Sequence, residues 1–171
     1  MKSLFALGVS ILAGAVIVAQ TTAVEKTLDA QLKQLFPSAS SFSPKQSAPP
    51  HFKAFVNDSR TGAQTLVGVA FWTTELEPLE RGYDGPIKIL VGMKTDATLA
   101  GIVVADHHEP YGYFSVEPPE FAAQFAGKNI RDPFRVGGDI DAVSRASITI
   151  NSATRAIRNS ARRVARQLLT P

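Results

Sequence analysis

The chain has 171 residues, 44% of them hydrophobic, an ordinary proportion for one globular domain able to bury a core. Its formal charge of +3 is unevenly spread: all 15 acids and 11 of the 18 basic side chains lie between Val24 and Val143, whereas six arginines and no acid follow Ser144. With no cysteine, the sequence excludes disulfides, thiolate zinc sites and cysteine-ligated iron–sulfur clusters, so redox work would call for an organic cofactor.

At the N-terminus Lys2 precedes an uncharged apolar run over residues 4–19, and small residues follow at Thr21–Ala23. This pattern reads as a secretory signal peptide. The run is only just short of the usual spanning length, so an uncleaved membrane anchor is the alternative. Both readings make residues 1–23 an export segment and residues 24–171 one exported domain, periplasmic and possessing at most an N-terminal tie to the inner membrane.

Val24, Leu28, Leu32, Leu35 and Phe36 form a stripe at helical spacing, which predicts a helix ended by Pro37. The Ser- and Pro-rich "SASSFSPKQSAPP" that follows reads as a connecting loop. "HFKAFV" and "TLVGVAFWTT" flank the turn-forming "NDSRTGAQ", and "PIKILVGM" and "TLAGIVVAD" flank "KTDA". Both predict antiparallel hairpins, because parallel pairing needs a long crossover. "PPEFAAQFAG" has the marks of a short helix, with Pro at its start, Phe121 and Phe125 one turn apart, and Gly127 at its end. "NSATRAIRNSARRVARQLL" sets Ala153, Ile157, Ala161, Val164 and Leu168 on one helical face, with Asn151 or Ser152 available as its cap. The predicted fold is α+β: a twisted antiparallel sheet flanked by N-terminal and C-terminal helices.

Three stretches hold the polar chemistry. "DIDAVSRASITINS", residues 139–152, gathers Asp139, Asp141, Ser144, Ser147, Thr149 and Ser152 around a single Arg145. Ser147 lacks a G-x-S-x-G setting, and three histidines offer little choice of base, so a serine hydrolase is not expected. "DHHEP", residues 106–110, would point His107 and Glu109 to one face if it continued the preceding strand. Two or three ligands on one segment do not close a metal site, and no metal is expected. "RGYDGPIKI" sets Gly82 and Gly85 around Tyr83, a turn that lets backbone approach a planar or phosphorylated ligand with an aromatic ring beside it. Arg155, Arg158, Arg162 and Arg166 lie along one side of the last helix, without the interleaved aromatics of a base-binding surface. They predict a solvated face or contact with anionic lipid or an acidic partner, and no nucleic acid.

Taken in order, "LKQLFPSA", "GYDGPIKILVGM", "LAGIVVADHHEP" and "DAVSRASIT" resemble the FMN-binding domain family. That family includes the exported flavin subunits of the Rnf and Na⁺-translocating NADH:quinone reductase complexes and the N-terminal domain of the nitrous-oxide respiration regulator and maturation protein. The resemblance to the last is the closest. It implies FMN held through its phosphate on the final hydroxyl of a D-x-x-[ST]-G-A-[ST] motif, placed there by a separate FAD-dependent FMN transferase. Carried onto this sequence, Asp141, Ser144 and Ala146 match the motif and Ser147 becomes the attachment point. Arg145 stands where the motif has glycine, and Ser147 where threonine is usual. The resemblance further implies Ser144, Arg145 and Thr149 around the phosphate, Tyr83, His107 and Glu109 near the ring system, no catalytic residue of the domain's own, and a membrane or periplasmic redox partner. The expected function is electron transfer to, or maturation of, a respiratory enzyme. The alternatives are non-covalent FMN, or a flavin-free domain that docks on a membrane respiratory complex.

Overall fold

The computed structural model of the protein describes residues 27–169. The first helix, α1, spans 27–35; its expected start at Val24 and the export segment at 1–23 lie outside the described residues. Leu32, Leu35 and Phe36 are buried, and the Phe36 amide closes the last turn on the Leu32 carbonyl at 2.9 Å before Pro37 stops the helix.

The Ser/Pro-rich stretch is not wholly loop. Ser41–Phe42 (β1) and Gln46–Ser47 (β2) each pair antiparallel with Pro50–Asn57 (β3). Two-residue strands are too short to show a period, which is why the sequence pattern hides them. Both predicted hairpins form: β3 with Gln64–Trp72 (β4), and Lys88–Lys94 (β5) with Leu99–Asp106 (β6). The strand order is β1-β3-β4-β5-β6, with β2 off β3, and every pairing is antiparallel. The fold is α+β, as the sequence predicts. β4 ends before the "TT" expected in it, because Thr73 opens a short helix, Thr73–Leu76 (α2). The Thr73 hydroxyl donates to the Ile87 carbonyl and accepts from the Ile89 amide, both at 3.2 Å. It takes over from the backbone ladder where the chain turns away.

Helices cover both faces of the sheet. On one side α1 packs Leu32, Leu35 and Phe36 against Phe52, Ala54, Ala70, Trp72 and Leu90. On the other, Ser147–Leu168 (α5) packs Ile150, Ala153, Ile157, Ala161 and Val164 against Val69, Phe71, Ile89, Val91 and Met93. Double coverage explains why β5 reads as an unbroken apolar run: its five inner residues are all buried. Gly68 marks the closest approach of α1, since a Cβ there would stand 2.7 Å from Phe36 Cζ and 2.6 Å from the Met93 carbonyl oxygen.

α5 begins four residues earlier than expected. Asn151 and Ser152 therefore sit inside it and cap nothing; the Asn151 amide instead donates to the Ser147 carbonyl at 2.8 Å. The segment between β6 and α5 carries Gly112–Ser115 (α3) and Pro119–Ala123 (α4). Phe121 and Phe125, their rings 5.1 Å apart, close the α5-side core together with Phe134. Among the described residues no helix is long and apolar enough to cross a membrane.

Candidate functional site

Three separate segments converge on one carboxylate. β6 ends at Asp106, so His107 and Glu109 do not continue its alternation; the chain turns, and Glu109 enters the interior at 6% exposure. Its Oε2 accepts from the Tyr83 amide at 3.0 Å and its Oε1 from the Asp84 amide at 2.9 Å. The Thr149 hydroxyl, on the first turn of α5, donates to Oε2. Burial pushes the Glu109 carboxyl up. The Thr149 hydroxyl, the Asp84 and Tyr83 amides and the neighbouring His107 outweigh that and hold it below its ordinary value. A buried carboxylate with this many donors is a fixed charged tie, which suits it to hold geometry rather than to shuttle protons.

The loop it ties is built for close approach. The Gly82 amide donates to the Gly85 carbonyl at 2.7 Å, and a Cβ at Gly82 would collide with the Glu109 carboxylate. Tyr83 is thereby held through its backbone while its ring is 70% exposed. His107 braces the same turn: its Nδ1 accepts from the Glu109 amide at 3.1 Å, and its Nε2 lies 3.2 Å from Glu117 Oε1. An accepting Nδ1 leaves the hydrogen on Nε2, facing that carboxylate. Gly112 packs directly on the imidazole, and any side chain there would overlap it. Neither glycine contact is visible as a motif; the only trace is glycine recurring beside tyrosine in "GYDG" and "YGY".

The predicted attachment segment leads into α5 through a turn, closed by the Ala146 amide on the Val143 carbonyl at 3.2 Å. Ser144 and Arg145 form its exposed corner, and Arg145 has φ +67°, in the left-handed region that favours glycine. The glycine of the resembled motif thus has a backbone reason, and this sequence meets the same turn with arginine. Ala146 is buried in the core, so its small size serves packing. Ser147 is exposed at the first position of α5, and its hydroxyl makes no hydrogen bond among the described residues. Asp141 is exposed, with its amide donating to Gln124 Oε1 at 2.6 Å. Thr149 stands apart from the other hydroxyls: it is buried and committed to Glu109.

No side chain caps α5 and its first turn carries no acid. The leading amides of an α-helix have no intrahelical acceptor, and the helix dipole favours negative charge there. An exposed alcohol, open amides and Arg145 together suit a phosphate joined at Ser147. The arginines further along α5 do other work. Arg155 pairs with Glu80 at 2.7 Å, Arg163 pairs with Glu77 at 2.9 Å, and Arg162 donates to the Ile130 and Asp132 carbonyls, both at 2.8 Å. Arg155 and Arg163 stay exposed while they pair, so part of the solvated basic face also ties neighbouring segments to the helix. No cluster of three potential metal ligands occurs among the described residues.

Residues 82–162 match the family model of the FMN-binding domain. One subunit of the ion-translocating oxidoreductase complex of Vibrio atlanticus (strain LGP32) is 33% identical over 89 residues, 46% of this chain and 43% of that protein. The corresponding protein of Vibrio vulnificus (strain YJ016) is 32% identical over 89 residues, 46% of this chain and 42% of that protein. The chain thus spans less than half the length of the curated relatives it matches. The matched segment contains the glycine loop, the Glu109 tie and the turn into α5, and it is over this segment that the chain is similar to the FMN-binding domain.

Proposed function

We propose that the chain carries FMN joined through its phosphate to Ser147 Oγ and serves as an electron-transfer domain. The observation that carries this reading is an exposed, unbonded hydroxyl at the open start of a 22-residue helix, inside the segment that matches the FMN-binding domain. Helix-terminal placement of an anion contributes about 0.3–1 kcal/mol at an exposed site. Bound there, FMN supplies the redox chemistry. The chain's own residues hold and orient it: Ser147 as anchor, Ser144 and Arg145 beside the phosphate, and the exposed Tyr83 ring as a stacking surface. Glu109, Thr149 and His107 act as positioning residues, because they fix the Tyr83 loop against the first turn of α5.

Attachment requires an FAD-dependent FMN transferase. The Ser147 Oγ–phosphorus bond forms as the pyrophosphate of FAD breaks, AMP leaves, and the serine proton passes to the transferase's base. The domain works in the periplasm, residues 1–23 being its export segment or anchor, and exchanges electrons with a membrane-bound redox partner. The two relatives, subunits of an ion-translocating oxidoreductase complex, support that partner class. The motif resemblance to the nitrous-oxide maturation protein points to the same compartment and suggests a respiratory reductase at the receiving end.

Intact mass tests the central claim. Protein co-expressed with the transferase should gain the mass of FMN less one water, and Ser147→Ala protein should not. An unmodified mass together with a colourless native protein would reject flavin altogether. A yellow protein that loses its flavin on denaturation would retain FMN binding and reject the covalent bond.

A further inference from the structure

Six large hydrophobic side chains are exposed among the described residues, and five of them gather at one end of the sheet: Leu79, Tyr83, Tyr111, Tyr113 and Ile148. They include all three tyrosines of the chain. The segment joining β4 to β5 and the turn that follows β6 both leave the sheet at that end. Glu109 holds them together. Its carboxylate accepts from the Tyr83 amide and from Thr149, the neighbour of Ile148. Its carbonyl accepts at 3.0 Å from the amide of Gly112, between Tyr111 and Tyr113. Leu79 is the most exposed of the five, at 92%, and Glu80 beside it pairs with Arg155 of α5. Large apolar groups collected on one exposed surface mark a contact site.

The chain enters the fold at the same end. Thr27 and Leu28 line a cleft with Trp72, Lys88 and Asp106, which close β4, open β5 and close β6. Seven residues, 20–26, separate Thr27 from the apolar run at 4–19. Their reach is at most about 25 Å. Kept as an anchor, that run holds this end toward the bilayer, and the β3–β4 turn lies a strand's length further off. The exposed charges here balance, Arg81 and Arg145 against Asp84 and Asp141, and none joins an ion pair among the described residues. Contact therefore rests on apolar side chains and not on attraction to anionic headgroups. Tyrosine, with an apolar ring and a polar tip, suits the depth where headgroups give way to hydrocarbon.

We propose that this end of the domain lies on the bilayer, with Leu79, Tyr111 and Tyr113 set among zwitterionic headgroups and the upper acyl chains. The inference goes beyond flavin attachment. It rests on the anchor reading of residues 1–23 and holds with or without FMN.

Because the chain has no cysteine, one introduced cysteine carries a nitroxide at a single place. The full chain is labelled at Pro78→Cys, beside Leu79, or at Arg60→Cys in the β3–β4 turn, and reconstituted in phosphatidylcholine vesicles. Collisions with oxygen report lipid, and collisions with a nickel chelate present on both sides report water. The Pro78→Cys label should lose nickel accessibility several-fold against the Arg60→Cys label, at low and high salt alike. Leu79→Ser combined with Tyr113→Ser should restore it; both positions are exposed, and an unchanged Tm confirms the fold. Vesicles that float without the chain refute the anchor and the proposal with it. A chain that floats with its Pro78→Cys label fully in water leaves the anchor standing and overturns the bilayer contact. Shielding that persists in the folded double variant overturns it too. So does shielding seen only in anionic vesicles, which makes the contact one of charge, or only in native membranes, which makes the partner a protein. Intact mass of the same samples reads flavin separately from any of these outcomes.

Discussion

Replacing Arg145 by glycine separates backbone strain from side-chain chemistry at the predicted attachment turn. Arg145 has φ +67°, is exposed, and makes no side-chain hydrogen bond or ion pair among the described residues. A left-handed conformation costs an L-residue about 1–2 kcal/mol, and glycine adopts it freely. Glycine also widens the unfolded ensemble, which gives back about 0.4–1 kcal/mol. The net expectation for Arg145→Gly is a gain of about 0.5–1 kcal/mol, or a rise in Tm of about 1–4 °C for a domain of this size. Arg145→Ala keeps the β-carbon and the strain while losing the guanidinium, so it should stay within about 0.5 kcal/mol of wild type. Urea titrations at constant m report both. A loss of more than about 1 kcal/mol in the glycine variant, or an alanine variant that tracks it, would falsify the assignment of strain to this residue.

Glu109→Gln leaves one carbonyl oxygen to meet the Tyr83 amide, the Asp84 amide and the Thr149 hydroxyl, so it should destabilise by about 1.5–3 kcal/mol in urea. The folded carboxyl titrates below its ordinary value of 4.5, so its contribution is complete above that pH and is lost as pH falls through the folded value. The gap between wild type and Glu109→Gln should accordingly shrink as pH falls below that ordinary value, and a gap that widens there reverses the sign. Gly68→Ala drives a Cβ against Phe36 and the Met93 carbonyl and should cost about 1–3 kcal/mol, read as a lower Tm. The Arg155–Glu80 pair is half open on the arginine side, at 46% exposure, so a cycle of Arg155→Met with Glu80→Gln should return a coupling of only about 0.2–1 kcal/mol.

Hairpins and the C-terminal helix were legible because their signals are local: turn residues between apolar runs, and a stripe from Ala153 to Val164 that buries as its spacing predicts. β1 and β2 were hidden because two residues show no period, and the start of α5 because its first turn points Ser147 and Ile148 outward and reads as polar loop. At the site, motif order was enough to single out 82–85, 107–109 and 141–149, and residues 82–162 do match the FMN-binding domain. What each side chain does there was not legible. Glu109 and Thr149 are 40 positions apart, and nothing in either neighbourhood announces that one hydroxyl is spent on the other's carboxylate. Close approach at Gly82 and Gly112 is equally non-local: the residue each glycine makes room for lies elsewhere in the chain.

That non-local tie changes what a substitution at Glu109 should do. The carboxylate grips the Tyr83 loop through two amides and the first turn of α5 through one hydroxyl, so it fixes the spacing between an exposed aromatic ring and the serine two residues before Thr149. A residue that contacted flavin directly would, when replaced, alter binding or potential and leave the free domain's fold nearly untouched. A positioning residue does the opposite first. Glu109→Gln should loosen residues 82–84, seen as faster amide exchange at Tyr83 and Asp84 in flavin-free protein, while the Ser147 hydroxyl stays open to modification. Thr149→Val should reproduce that loosening in part, since it removes one of the three donors and leaves both amides bound. Exchange at Tyr83 and Asp84 that is the same in wild type and both variants would mean that the carboxylate does not hold the loop, and the role assigned to Glu109 would then fall.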